Sequence, residues 1–242
     1  LPHGTPTSFR ALCLQAATNG DLTKWEVNAA TNGIAASYPL NMLNQGREDP
    51  AYYPAGNFHA EGASAHDATV SLMDKLYPNQ RPWPGVTFHT IERDADLEYL
   101  LTFPRTTPMR MPDYGIHAAI FDQAATDALR AQNPAFRHAQ VFGASTPIIG
   151  GTAVIIGNSF AKHAAPNVAP YYAQTIMFGM AGASDEELTI ALRDLVADAD
   201  AVIFLVQDTA AQHWLWQRER DILDALNIAD KAEPARQGLA KR

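Results

Sequence analysis

Ser159 follows directly on an apolar run, "AVIIGNSFA" over residues 153–161. A β-branched run that stops at Gly157 and Asn158 places the Ser159 hydroxyl just past the carboxyl end of a strand, where ligands gather in an open parallel sheet. At a sharp strand-to-helix turn a serine can project its hydroxyl while nearby backbone amides face an incipient oxyanion, a geometry suited to acyl transfer. A second reading is structural, since serine after a strand commonly caps the next helix. The hydrolase G-x-S-x-G pattern is not reproduced, because Ala161 holds the place of the second glycine. Asn158 has a matching pair of readings: its amide could donate to an oxyanion or cap the turn. His163, four residues after Ser159, could face it on a helix or be satisfied elsewhere.

These residues need elements to hold them. "TAVIIG" (152–157), "QTIMFG" (174–179) and "AVIFLV" (201–206) read as strands buried on both faces. Between the last two, Ser184 and Glu187 stand at capping-box spacing, and Leu188, Ala191, Leu192 and Leu195 share a helix face. This is a strand–helix–strand unit with a right-handed crossover expected. Helical spacing of Ala65, Ala68, Leu72, Met73 and Leu76 predicts a helix over 61–76, stopped by Pro78. Further helices are predicted around 9–17, 122–131 and 211–226. The turn-forming segment 44–63 reads as a long loop, 78–112 as an irregular insertion with one or two short strands such as "VTFHTI" (86–91), and 228–242 as a flexible tail. The whole, 1–242, reads as one α/β domain.

Composition narrows the partners. The net charge of −8 and scattered Lys and Arg exclude a basic nucleic-acid face. No apolar run approaches the roughly 20 residues a membrane helix requires. The single cysteine, Cys13, excludes an internal disulfide and any cysteine-based zinc site. His59, His66 and Asp67 fit no standard ligand spacing, so no metal or other cofactor is expected. Tyr52, Tyr53, Phe58, Trp83 and Tyr114 could line a sugar-binding cleft or pack a long loop onto the domain. The chain begins at Leu1 without Met, which is compatible with a removed N-terminal signal or anchor.

The Gly157-Asn158-Ser159-Phe160 element resembles the Gly-Asp-Ser-Phe block of SGNH hydrolase-like proteins, in the branch related to alginate O-acetyltransferases. In that branch a Y-Y-P-x-D-x-H-W loop precedes the serine block and leads into a helix opened by Gly-Ala. Here "YYPAGNFHAEGASAHDATVSLMDKLYP" (52–78) occupies that position, and "PNVAPYYAQTIMFG" and "ADAVIFLVQDT" are similar to later parts of the family. The resemblance implies a three-layer, mostly parallel α/β fold. It departs at the Asp-x-His element. One alignment equates it with Asn57-Phe58-His59, keeping the base and replacing the acid with an amide. The other anchors on Tyr53-Pro54 and Glu61-Gly62-Ala63, which puts Ala55 and Asn57 at the acid and base positions and Phe58 at the tryptophan.

Under the first alignment His59 is the general base for Ser159, Asn57 orients it, and a carboxylate such as Asp67 or Asp113 would have to supply the missing charge. Under the second, Ser159 has no activator. The resemblance accordingly implies O-acetyl transfer or acetylester hydrolysis on a bacterial exopolysaccharide. Gly157, Asn158, Tyr53 and Phe58 would stand on the oxyanion and substrate side, without a cofactor. The matching location is periplasmic or exported, beside a membrane-bound acyl-transfer partner. The alternative is a catalytically reduced relative that binds polysaccharide or a partner in a polymer-modifying complex.

Overall fold

The structure is a computed structural model that describes residues 11–15, 35–37, 46–54, 59–80, 83–94 and 106–207. Asn57, Phe58, the helix expected over 211–226 and the tail at 228–242 lie outside the described residues.

Strands β1 (Ala11–Gln15), β2 (Ala35–Ser37), β5 (Ala119–Phe121), β6 (Ala139–Ala144), β7 (Thr152–Gly157), β8 (Gln174–Gly179) and β9 (Ala201–Gln207) form a seven-stranded sheet in the order β2-β1-β9-β7-β8-β6-β5. Pairing is parallel from β2 through β8. It turns antiparallel at β6 and β5. The three apolar runs read as strands are β7, β8 and β9, with β7 between the other two.

Alternation along β7 explains the layers. Ala153 and Ile155 pack with Leu72 and Met73 of helix α1 (Gly62–Leu76) and with Phe160 and Ala164 of α3 (Ser159–Val168). Val154 and Ile156 point the other way, into a cluster with Leu188, Leu192 and Leu195 of α4 (Asp185–Val196). Successive strand residues face opposite sides, so a run apolar on both sides requires helices on both faces. Each fully buried Val or Ile contributes roughly 1.5–3 kcal/mol. The three-layer α/β arrangement expected from the sequence is therefore the one observed.

The helices end where local chemistry dictates. At α4 the Ser184 Oγ accepts from Glu187 N–H at 3.2 Å while Glu187 Oε2 accepts from Ser184 N–H at 2.7 Å, completing the expected capping box. Asp122 caps α2 (Gln123–Gln132) by accepting from Ala125 N–H. Along α1, Ala65, Ala68, Leu72, Met73 and Leu76 are all buried. Among the described residues no helix is long and apolar enough to cross a membrane.

Two segments differ from expectation. Residues 11–15, expected within a helix, form β1 because "ALCLQ" pairs in parallel with β9 on one side and β2 on the other. Neighbouring strands override a weak local preference. Where short strands were expected within 78–112, eight-residue strands β3 (Thr87–Asp94) and β4 (Thr106–Asp113) form a separate antiparallel pair. Pro108 and Pro112 fit there because a two-stranded ribbon has only edge strands.

Candidate active site

β7 ends at Gly157, in register with Leu205 of β9 and Gly179 of β8. A Cβ at this position would run into the Leu205 carbonyl oxygen and the Ala161 side chain, so the turn into α3 is tight enough to require glycine. Its carbonyl accepts from Met180 N–H at 2.7 Å, which ties the turn to the end of β8. Asn158 is the N-cap: its Oδ1 accepts from Phe160 N–H at 3.1 Å, and its carbonyl accepts from Ala161 N–H at 3.0 Å. Capping therefore falls to Asn158, and the capping reading of Ser159 is not the one observed. Ser159 is exposed at the first position of α3.

Its hydroxyl meets a histidine. His59 Nε2 lies 2.9 Å from Ser159 Oγ. His59 is the base of the first alignment of the loop, and Asn57, which holds that place in the second, lies outside the described residues. The His59 ring also packs against Phe160 at 4.7 Å between centroids and stacks on His163 at 4.1 Å with an interplanar angle of 18°. His163 thus faces His59 rather than Ser159.

The chain entering α1 is fixed by its neighbours. Gly62 adopts φ +56, and a Cβ there would strike the Arg110 carbonyl of β4. Only glycine takes this left-handed conformation beneath the ribbon without strain. Arg110 N–H donates to the Ala51 carbonyl at 2.8 Å, and its guanidinium pairs with Asp49 at 2.9 Å, fastening the preceding loop to the same ribbon. The Ala51 amide, and after it that guanidinium, hold the Asp49 carboxyl below its ordinary range.

Glu61, at the N-cap position of α1, makes no side-chain cap bond. Its carboxylate instead accepts from Arg93 Nη1 at 2.6 Å through Oε2 and faces His163 Nδ1 through Oε1. Neither Glu61 nor Arg93 figures in the sequence reading of the site. The available signal was local: Glu61 stands two residues after His59, and His163 one helical turn after Ser159.

The other expected residues are used differently. Asp67, considered as a compensating carboxylate, accepts from the Tyr52 hydroxyl at 2.9 Å. Asp113 accepts from Gly115 N–H at 2.9 Å. Among the described residues, the carboxylate joined to the His59 stack is Glu61. Trp83 donates Nε1–H to Asp74 at 2.7 Å and meets Tyr171 edge-on. Tyr114 donates to Asn167 Oδ1 at 3.1 Å and lies 2.8 Å from Nδ1 of buried His66. Burial raises the Tyr114 and Tyr52 hydroxyls far above their ordinary value. Tyr52, Trp83 and Tyr114 accordingly brace α1 and α3. Tyr53 is half-buried in the loop before His59.

Chemically, the arrangement offers a hydroxyl with an imidazole nitrogen at hydrogen-bonding distance, at the amino end of a helix whose dipole favours developing negative charge.

No protein-family model matches the sequence, and no curated protein sequence matches it. Solved structures share its fold. Bacillus cereus PatB1 with a sulfonyl adduct superposes with a TM-score of 0.55 at 11% identity, over 84% of this chain and 83% of that one. The O-acetyltransferase domain of Pseudomonas putida AlgJ gives 0.50 at 11% identity, over 84% and 76%. A DHHW family protein from Eubacterium siraeum gives 0.50 at 14% identity, over 84% and 79%. At such identities the likeness is one of fold.

Proposed function

We propose that this chain transfers O-acetyl groups to or from a bacterial polysaccharide through an acetyl-Ser159 intermediate, with His59 as general base. The observation that carries the reading is the 2.9 Å contact between His59 Nε2 and Ser159 Oγ. The fold shared with the AlgJ O-acetyltransferase domain is consistent with it.

In the acylation step Ser159 Oγ attacks the acetyl carbonyl carbon while its proton passes to His59 Nε2. The carbonyl oxygen becomes an oxyanion at the amino end of α3, where the Ser159 amide and the Gly157–Asn158 turn stand. Collapse breaks the bond to the donor alcohol, which leaves with the proton from His59. A sugar hydroxyl then attacks acetyl-Ser159, gives its proton to His59 and departs acetylated as Oγ regains a proton. Water in place of the sugar makes the same site an esterase. Tyr53, and Phe58 by its place in the sequence, are the proposed sugar-side residues, with Asn57 orienting His59. The reading extends to a periplasmic or exported location and to a membrane-bound partner that supplies acetyl groups.

The alternative, a catalytically reduced relative that binds polysaccharide or a partner in a polymer-modifying complex, draws its support from the missing Asp-x-His acid, and the His59–Ser159 contact weighs against it. The test is acetate release from a chromogenic acetyl ester, together with labelling by a sulfonyl fluoride, a reagent class matched to the adduct carried by PatB1. Wild type is expected to turn over ester and take one sulfonyl group, and Ser159→Ala to do neither. Equal rates in the two proteins would refute the proposal.

A further inference from the structure

Glu61 presents a puzzle of placement. Its side chain is 6% exposed, yet it leaves the α1 amides uncapped and turns to Arg93 and His163. A buried carboxylate carries a desolvation penalty of several kcal/mol, which Arg93 and the His163 N–H offset. Since a carboxylate only accepts, a hydrogen bond across the Glu61–His163 contact requires the hydrogen to sit on His163 Nδ1. The polarised ring then lies parallel to His59, 4.1 Å between centroids.

We propose that Glu61 and His163 are positioning residues that orient the His59 base and support its charge through the face of its ring. This rests on the reading of His59 as the base. When Nε2 takes the Ser159 proton, His59 becomes an imidazolium. A neutral imidazole whose N–H is held by a carboxylate is more electron-rich, and its face attracts a cation as aromatic faces do. Stacking also fixes the plane of His59 and so the aim of Nε2 at Oγ, a geometry in which a misplacement of about 1 Å can cost about 100-fold in rate. Arg93 anchors the carboxylate from β3.

The experiment is steady-state kinetics of the full chain on the chromogenic ester for wild type, Ser159→Ala, His163→Ala, His163→Phe, Glu61→Gln and the H163F/E61Q double variant. His163→Ala should lower kcat about tenfold or more with KM unchanged, the scale on which outer partners of a functional histidine act. His163→Phe keeps a ring face and should recover part of that loss. Glu61→Gln should lower kcat in the wild-type background and add nothing in the H163F background, since the pair acts as one unit. Wild-type kcat in both His163→Ala and Glu61→Gln overturns the proposal, as does an undiminished Glu61→Gln effect in the H163F background. If His163→Ala does not fold, the H163F cycle decides alone. Equal ester turnover by wild type and Ser159→Ala is a different result: it removes the acyl-transfer reading and this inference with it.

Discussion

Ser159 is exposed and leaves the capping of its helix to Asn158, so its replacement by alanine removes the hydroxyl without removing the cap. The same separation holds for the histidines. His59 touches the serine, whereas His66, on α1, is buried against Tyr114 and serves the packing. Burial holds the His66 imidazole below its ordinary value of 6.5, with Asp67 opposing the shift. An unfolded chain takes up that proton near 6.5, and the folded one only at lower pH. Between the two values the unfolded state binds more protons, so this contribution to stability is full above the ordinary value and is lost as pH falls through the lower, folded one. Urea unfolding at about pH 7.5 and about pH 5.5 should show the loss in wild type and a smaller one in His66→Gln, which cannot titrate. An identical pH dependence in both proteins would show that His66 is not its source.

At the scale of elements, the β3–β4 ribbon delivers Arg93 to Glu61 and covers the entry to α1. Gly62→Ala combines left-handed strain with a clash at the Arg110 carbonyl and should cost about 1–3 kcal/mol in chemical unfolding, with a fall in kcat because Glu61 is its neighbour. Ser184→Ala, in a capping box on the other face of the sheet, should cost about 1 kcal/mol and leave kcat unchanged. A Gly62→Ala protein with wild-type stability would mean that the ribbon does not constrain the entry. Elements were legible where burial writes its own pattern. β7, β8 and β9 are covered on both faces and read as unbroken apolar runs. β1 carries the same burden of pairing in a segment without β-branched residues, and "ALCLQ" acquires strand geometry only from β2 and β9. The ribbon was legible only in part: "VTFHTI" marked β3, but β3 is largely exposed on both faces, so no alternation shows its full length.

Across the whole molecule, the candidate site assembles at the carboxyl end of β7, with β8 and β9 on either side. Ser159 was legible because a strand end announces itself in the sequence. His59 was ambiguous with Asn57 because a loop has no periodicity to fix which side chain turns inward. Glu61, Arg93 and His163 come together only through the packing of the α1 entry, the ribbon and α3, contacts between residues far apart in the chain. The claim on which everything depends is that His59 activates Ser159 as a nucleophile. Its most direct measurement is peptide mapping by mass spectrometry after a rapid acid quench of the acetyl-ester reaction, in wild type, Ser159→Ala and His59→Ala. An acetyl group should appear on the Ser159 hydroxyl in wild type, be absent in Ser159→Ala, and accumulate on the order of 10³–10⁴-fold more slowly in His59→Ala. Acetylation elsewhere in the chain, or at the wild-type rate without His59, would contradict it.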